Sequence, residues 1–209
     1  MDIVEKLQWR YATKKFDRNK KLSRTKIELL KNAFNLTATS YGLQPIKLLI
    51  IENQEIKDNL VAHSWGQKQV SDASHILVFC IENVINKAYI KEYYDRVKDI
   101  RKTPNEILQK YEDFLIEDFN KKSVEEINDW ATKQAYLAMG NLLTVCALAE
   151  IDACPMEGFI PGEYDKVLGL NERGLKSVLV MPVGYRAEDD IFADMKKVRK
   201  DIAESVITF

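Results

Sequence analysis

The stretch AYLAMGNLLTVCALAEI, residues 135–151, is apolar on nearly every side of the helix that its composition favours. The helix begins upstream, because Ser123 and Glu126 form a capping-box pattern and helical periodicity continues from there to Glu150. A helix that is apolar all round lies either inside a large core or at an extensive subunit interface. We therefore predict a long, buried helix at this position.

Apolar runs on either side of this helix predict strands. Residues 47–51 (KLLII) and 75–81 (HILVFCI) are hydrophobic on both faces, which is typical of buried strands, and residues 176–183 (KSVLVMPV) predict a third. The periodicity between the first two runs predicts two short helices.

Two polar segments have a different character. Residues 86–122 carry thin helical spacing that Pro104 interrupts, which predicts an exposed helical excursion that could act as a lid. The tail, 187–209, ends in the β-prone sequence SVITF and has little of its own to pack on. We expect it to reach another subunit and to add a strand there.

The bulk properties predict one globular domain over residues 1–209. Hydrophobic residues make up 46% of the chain and charged residues 30%, and the net charge is -1. No global field would therefore attract nucleic acid or an anionic membrane. The three cysteines lie in separate apolar stretches, which indicates reduced, buried thiols. Without a signal peptide or an apolar run long enough to span a bilayer, we expect a cytoplasmic protein.

Several common sites are excluded by missing motifs. Neither GxGxxG after a strand nor GxxxxGK[ST] occurs, so no Rossmann-type dinucleotide site or P-loop can be argued. His63 and His75 are not at metal spacing, and CxxC, HExxH and GxSxG are absent. We expect no metal and interpret both histidines as structural or surface residues.

Basic residues cluster at both ends of the chain: Arg10, Lys14 and Lys15 near the start, and Lys196, Lys197 and Arg199 near the finish. Each cluster alone could be a solvated face. If the two ends meet, Arg10, Lys197 and Arg199 could clasp a phosphate.

Two loops could complete a ligand site. In TSYGLQP (39–45), Ser40 and Gln44 supply polar groups beside Gly42, where a backbone can approach a ligand. In PMEGF (155–159), Gly158 allows the backbone to present N–H groups to a flat ring. The alternative for each loop is a plain turn.

These segments together resemble a known family. The matching stretches are RYATKKFD (10–17) with KKL (20–22), SYGLQP (40–45), SDASHILVFC (71–80), WATKQAYLAMGNLL (130–143), PMEGF (155–159), VMPVGYR (180–186) and the KxR of Lys197 and Arg199. In this order they are similar to the oxygen-insensitive NAD(P)H nitroreductase and dihydropteridine reductase family, in particular the bacterial minor nitroreductase type.

The resemblance implies a fold and a cofactor. The fold is α+β, with a mainly antiparallel sheet packed by helices, in an intertwined homodimer whose extended C-terminal tail wraps round the partner and whose FMN lies between subunits. The implied cofactor contacts are Arg10, Tyr11, Ala12, Lys14, Ser40, Gln44, Gln67, Gln69, Glu157, Gly158, Lys197 and Arg199. Among them, Arg10, Lys197 and Arg199 match phosphate-binding positions, and Lys14 matches the lysine near N1 and O2 of the flavin ring.

The chain departs from the family pattern at three points. Ala12 replaces a Ser or Thr, which leaves only a backbone contact there. Gly66 and Gln69 stand at the family's Asn and Lys positions, and Gln67 or Gln69 is the expected substitute. The 86–122 excursion is divergent, and the candidate substrate contacts are Tyr41, Phe114 and Ile116.

The implied activity is a ping-pong reduction in which FMN takes hydride at N5 from NADH or NADPH and passes it to a small electron-poor acceptor. Nitroaromatics, quinones and pteridines are candidate acceptors, and no side-chain acid or base is required. A flavin enzyme with another reaction is one alternative. A non-catalytic helical dimer that binds an anionic partner through its basic termini is the other.

Overall fold

The computed structural model describes residues 2–209, in which helices alternate with short strands. The helices are α1 (Ile3–Trp9), α2 (Arg24–Asn35), α3 (Gln54–Ala62), α4 (Gln69–Asp72), α5 (Lys87–Arg101), α6 (Asn105–Lys121), α7 (Val124–Leu148), α8 (Pro161–Val167) and α9 (Ile202–Ser205). The strands are β1 (Ile46–Ile51), β2 (His75–Glu82), β3 (Asp152–Ala153) and β4 (Leu175–Gly184). The three predicted strands and the two short helices between β1 and β2 are present.

Helix α7 starts at the predicted capping box. The Ser123 hydroxyl accepts from the Glu126 N–H at 3.1 Å, and the Glu126 carboxylate accepts from the Ser123 N–H at 2.7 Å. Both N–H groups would otherwise lack a partner at the helix start. From there α7 runs for 25 residues. Its inner face carries Ala131, Ala135, Ala138, Met139, Leu142 and Cys146, all of which are buried.

The strands form one antiparallel sheet in the order β1-β2-β4-β3. One face, with Leu77 and Phe79 of β2, packs against α7, α2 and the excursion. The other face, with Ile76 and Val78, packs on α3 and α8. The alternation follows from the two-residue period of a strand, and it buries β2 on both faces as predicted.

The prediction that residues 47–51 form a buried strand is right about the strand and wrong about its burial. Lys47 is exposed and Leu48 to Ile50 are only half-buried. The reason is that β1 is the edge of the sheet, with β2 as its partner on one side only.

Helix α7 is not buried all round within one chain. Tyr136 is 46% exposed and Leu137 is 57% exposed, both on its outward face. The sequence left two alternatives for this helix, burial inside a core or at a subunit interface. Burial inside a core describes only its inner face. None of the helices between residues 2 and 209 combines the length and the hydropathy that a bilayer span requires.

The excursion consists of α5 and α6, which Pro104 separates at the start of α6. It is less exposed than the thin apolar spacing suggests, because Ile90 and Tyr94 of α5 and Leu115 and Phe119 of α6 are buried in the main core. A role as a lid stays a prediction.

The start of the tail contacts the N-terminal loop, and the end of the tail is exposed. After the four residues of α9, Val206 to Phe209 adopt no regular structure, and Phe209 lies fully exposed. The strand predicted for SVITF does not form within one chain.

One buried lysine supports the sheet beneath β2. Lys57 is fully buried, and its ammonium donates to the Ala73 carbonyl at 2.7 Å and to the Ser74 carbonyl at 3.3 Å. Burial and the nearby Lys21 lower the pKa of Lys57 from 10.5 to about 8. Next to it, His75 is buried against the Ser74 hydroxyl at 2.8 Å, which fits the structural interpretation of this histidine.

The depressed pKa of Lys57 predicts a specific pH dependence of stability. Between pH 8 and 10.5 the unfolded chain binds more protons at this residue than the folded chain does, so the free energy of unfolding rises with pH in that window. Relative to Lys57→Met, the wild type should gain up to about 1.4 kcal/mol per pH unit. Urea unfolding at pH 7.5, 8.5 and 9.5 measures this difference. The exposed Lys68→Met is the control, and a pH-independent difference for Lys57→Met would contradict the prediction.

Candidate functional site

The two ends of the chain meet on one side of the sheet. The Ala187 N–H donates to the Lys15 carbonyl at 2.9 Å, and the Asp17 N–H donates to the Tyr185 carbonyl at 2.8 Å. On the other side of this loop, the Thr13 N–H donates to the Ala153 carbonyl at 3.2 Å. The condition under which the two basic clusters could act together is therefore met.

A cavity of about 350 Å³ lies between these two segments. One wall is the N-terminal loop, the other is the start of the tail, and Pro155 contributes from the PMEGF loop. The lining residues are Arg10, Tyr11, Ala12, Lys14, Pro155, Phe192, Met195, Lys196, Lys197 and Arg199. Six of the sequence-predicted cofactor contacts are among them.

The cavity concentrates positive charge. Burial, and next the charge of Arg199, lowers the pKa of Arg10. Burial, and next Arg10 and Arg199, lowers the pKa of Lys197, whose ammonium donates to the Arg10 carbonyl. Within residues 2–209, no acidic side chain lines the cavity and none pairs with these three cations. An anion in the cavity would relieve their mutual repulsion.

Behind Lys14, a chain of polar contacts leads to the PMEGF loop. The Lys14 ammonium lies 3.9 Å from the buried Cys154 sulfur, and the Gln69 amide lies 4.0 Å from the same sulfur. Gln69 also donates to Gln67 at 2.9 Å, and Gln67 donates to the Gly158 carbonyl at 2.9 Å. Burial raises the pKa of Cys154, although Lys14 acts in the opposite direction.

Gly158 occupies a place where a side chain would not fit. A Cβ there would lie 2.9 Å from the Gln67 amide nitrogen and 3.0 Å from the Trp65 ring. The carboxylate of Glu157 accepts from the Tyr136 hydroxyl on α7 at 2.7 Å. Among the hydrogen bonds of the described part of the chain, the N–H groups of Glu157 and Gly158 have no acceptor. These two donors are available to a ligand.

The remaining predicted residues do not line this cavity. The Ser40 N–H donates to Gln134 at 2.9 Å, and the Gln44 amide donates to the Asn35 carbonyl at 3.0 Å beside a separate groove of about 970 Å³. Gly42 lies against a protein group, since a Cβ there would clash with the Tyr93 hydroxyl. Within one chain, the loop at 39–45 is a turn.

The candidate substrate contacts also lie outside the cavity, around α6 and the start of α7. Tyr41 packs near Phe119 and Trp130, with ring centroids 6.2 and 6.3 Å away. Phe114 is exposed, and Ile116 is partly buried against the core. Within a single chain, the predicted basic contacts therefore lie together around the cavity. The predicted contacts in the 39–45 loop and the candidate substrate contacts lie away from it.

Sequence reasoning missed Asp190, which holds the N-terminal loop. Asp190 is 4% exposed, and its carboxylate accepts from the Tyr11 hydroxyl at 2.7 Å and from the Lys14 and Lys15 N–H groups at 3.0 and 3.1 Å. Arg186 braces the same loop, with its guanidinium 4.6 Å from the centre of the Tyr11 ring. In the sequence, the acidic run at 188–190 gives no sign of which acid turns inward.

Comparisons with known proteins cover almost the whole chain. The model of the nitroreductase family matches residues 7–185. A Staphylococcus aureus protein, provisionally named an NAD(P)H nitroreductase, is 33% identical over 214 residues, which is 98% of this chain and 95% of that protein.

Solved structures agree in fold. The provisionally named nitroreductase ydfN of Bacillus subtilis has a TM-score of 0.86 at 17% identity, with 99% of this chain and 98% of that chain covered. A provisionally named nitroreductase of Exiguobacterium sibiricum, solved in complex with FMN, has a TM-score of 0.84 at 18% identity, with 100% and 98% covered. The family model and the staphylococcal relative confirm the resemblance seen in the sequence, and the chain belongs to the nitroreductase family, with its α+β fold.

Proposed function

We propose that the protein is an FMN-dependent reductase that takes hydride from NADH or NADPH and delivers it to a small electron-poor acceptor. The observation that carries this proposal is the convergence of Arg10, Lys197 and Arg199 on one cavity without a carboxylate to neutralise them. A phosphate monoester is a compact anion that such a clasp suits.

The residues around the cavity fit the other parts of FMN as well. Lys14 places a positive charge beside the cationic clasp, and the free N–H groups of Glu157 and Gly158 can donate to a flat polar ring. The volume of about 350 Å³ lies within the range of small-molecule sites. Arg10, Lys197 and Arg199 alone would hold any phosphorylated ligand. The Glu157 and Gly158 N–H groups favour a flavin over the alternative of a non-catalytic dimer that binds an anionic partner.

When bound, FMN supplies the hydride chemistry, and the protein supplies binding, orientation and electrostatics. Arg10, Lys197 and Arg199 hold the phosphate. Lys14 would stabilise negative charge that develops on the reduced ring, and the Glu157 and Gly158 N–H groups would donate to polar atoms of the ring. Because the flavin itself would carry the hydride chemistry, no side-chain acid or base is assigned. Nitroaromatics, quinones and pteridines are the proposed acceptors.

The second half of the site would come from a second copy of the chain. We infer that each subunit is one domain, because both hydrophobic cores share one sheet. Leu137 and Tyr136 give α7 an apolar outward face. The β3 edge is partly covered through the Ala12 to Ala153 bridge, whereas the β1 edge is open beside the groove of about 970 Å³. The exposed, β-prone end of the tail suits the open edge of a partner.

The phosphate clasp is tested by removing its arginines. Arg10→Ala with Arg199→Ala should weaken FMN binding by about a hundredfold or more, because two charged hydrogen bonds worth roughly 1.5–3 kcal/mol each are lost together. Riboflavin, which lacks the phosphate, should bind both proteins alike. Quenching of flavin fluorescence measures both affinities, and Lys200→Ala, next to Arg199 but outside the cavity, is the control. A double variant that purifies with full flavin occupancy would show that the phosphate assignment is wrong.

The role of Lys14 is tested by rate rather than by affinity. In the fraction of Lys14→Met that retains FMN, NADH or NADPH should bleach the flavin absorbance more slowly by on the order of tenfold. The reason is that a positive charge no longer stabilises the reduced ring. Stopped-flow absorbance measures the rate. Lys15→Met is the matched control, because Lys15 is an exposed neighbour that pairs with Asp189. Equal rates for the two variants would count against the assignment.

The dimer is tested by placing a charge on the outward face of α7. Leu137→Glu should convert a dimeric wild type into a monomer and lower flavin retention, because a carboxylate at an apolar interface is costly to bury. Size-exclusion chromatography with light scattering measures the mass. Val84→Glu introduces the same charge at a comparably exposed residue in the loop before α5 and should leave the mass unchanged. A monomeric wild type would remove the inter-subunit site.

A further inference from the structure

We propose that Asp190 is a positioning residue: it ties the two walls of the cationic cavity together and thereby sets how tightly a phosphate-bearing ligand is held. This inference rests on the proposed function, because it concerns the same cavity. It assigns Asp190 no direct contact with the ligand, and within the described residues Asp190 is not part of the cavity lining.

Asp190 lies at the junction of the two walls. Oδ2 accepts from the Tyr11 hydroxyl and from the Lys14 and Lys15 N–H groups, all on the N-terminal wall. Oδ1 accepts from the Phe192 N–H at 3.2 Å, which begins the short 3-10 turn of the tail wall. Tyr11, Lys14 and Phe192 line the cavity themselves. One carboxylate therefore orients three lining residues from opposite ends of the chain.

The tie matters because the walls carry like charges. Arg10 is on the N-terminal wall, whereas Lys197 and Arg199 are on the tail wall, and their repulsion opposes closure of the cavity. A buried carboxylate with four donors resists this opening, since its hydrogen bonds are charge-assisted. Holding the cations in place before the ligand arrives lowers the cost of binding.

The carboxylate stays ionised in this setting. Burial alone would raise the pKa of Asp190, but the Tyr11 hydroxyl and the Lys15 and Lys14 N–H groups hold it below its ordinary value. Burial, and next the hydrogen bond to Asp190, raises the pKa of Tyr11, so the hydroxyl remains a donor.

The chain supplies a matched control one residue away. Asp189 is also acidic and also near the loop, but its side chain is 69% exposed, and within residues 2–209 its one ion-pair partner is the exposed Lys15. A surface pair of this kind contributes little. Asp190→Asn and Asp189→Asn thus make the same chemical change. Only Asp190→Asn removes the negative charge that joins the two walls of the cavity.

The experiment measures the affinities of the full-length protein for FMN and riboflavin by fluorescence quenching. Asp190→Asn should weaken FMN binding by about tenfold and riboflavin binding much less, because only the phosphate needs cations from both walls. Asp189→Asn should match the wild type. A general loss of stability would weaken both flavins alike, so the ratio of the two affinities identifies positioning.

A double-mutant cycle tests whether Asp190 acts through the clasp. In an Arg199→Ala background, Asp190→Asn should cost much less FMN affinity than in the wild type, since the clasp is already broken. Full additivity, or equal FMN affinities for Asp190→Asn and Asp189→Asn, would overturn the inference and leave the flavin proposal intact.

A second variant covers the case in which Asp190→Asn does not fold, and a phosphate assay covers the case in which no flavin binds. If Asp190→Asn does not fold, Tyr11→Phe removes a single bond of the tie and should weaken FMN binding a few-fold, and an unchanged affinity would overturn the inference. If the wild type binds neither flavin, the proposed function fails. The role of Asp190 would then be tested with inorganic phosphate, which should raise the unfolding temperature of the protein. The increase should be smaller for Asp190→Asn than for Asp189→Asn, and equal increases would overturn the inference.

Discussion

The packing of α7 across the sheet is the constraint on which the rest of the structure depends. Alanines on its inner face, such as Ala131, Ala135 and Ala138, let the helix axis approach the strands closely, and Leu142 fills the space between them. The chain leaves α7 directly into β3 and Cys154, and the Tyr136 hydroxyl reaches the Glu157 carboxylate on the PMEGF loop. The helix that closes the core thus also fixes the loop that closes the candidate site. Because its outward face is apolar around Tyr136 and Leu137, the same helix links the core to the proposed subunit interface.

A second constraint is electrostatic. The fold brings Arg10, Lys197 and Arg199 together although they repel one another, and backbone bonds between the chain ends, together with the tie at Asp190, oppose this repulsion. The cluster lies at the surface, with Arg10 half-buried and Lys197 and Arg199 exposed. Perturbed charges of like sign that converge on a cavity are typical of ligand sites, where the ligand completes the charge balance. Under the proposed function the ligand is therefore a structural element of the site as well as the carrier of its chemistry.

The sequence predicts those features that depend on neighbouring residues and misses those that depend on distant ones. The capping box at Ser123 and the strand at β2 are local, and both are confirmed. Burial of β1 was predicted wrongly, because its exposure depends on a strand order that no local pattern encodes. Gly42 is small because Tyr93 packs over it, which only the structure reveals. Asp190 could not be separated from the acids beside it, since its inward orientation follows from contacts with the other end of the chain.

The glutamine at position 69, where the resemblance leads us to expect a lysine, affects the electrostatics of the candidate site. Gln69 is 6% exposed, and its amide shares the Cys154 sulfur with the Lys14 ammonium. A lysine there would place a second ammonium in a nearly buried position beside Lys14, whereas the neutral amide adds no charge and uses its bonds to hold Gln67 against Gly158. Among the described residues, Lys14 is thus the cation at this sulfur, and the charge near the proposed ring edge rests on one exposed side chain. Such a charge is screened by solvent more strongly than a buried one. This chain would therefore gain its orientation of the ring from the backbone donors at Glu157 and Gly158 more than from charge.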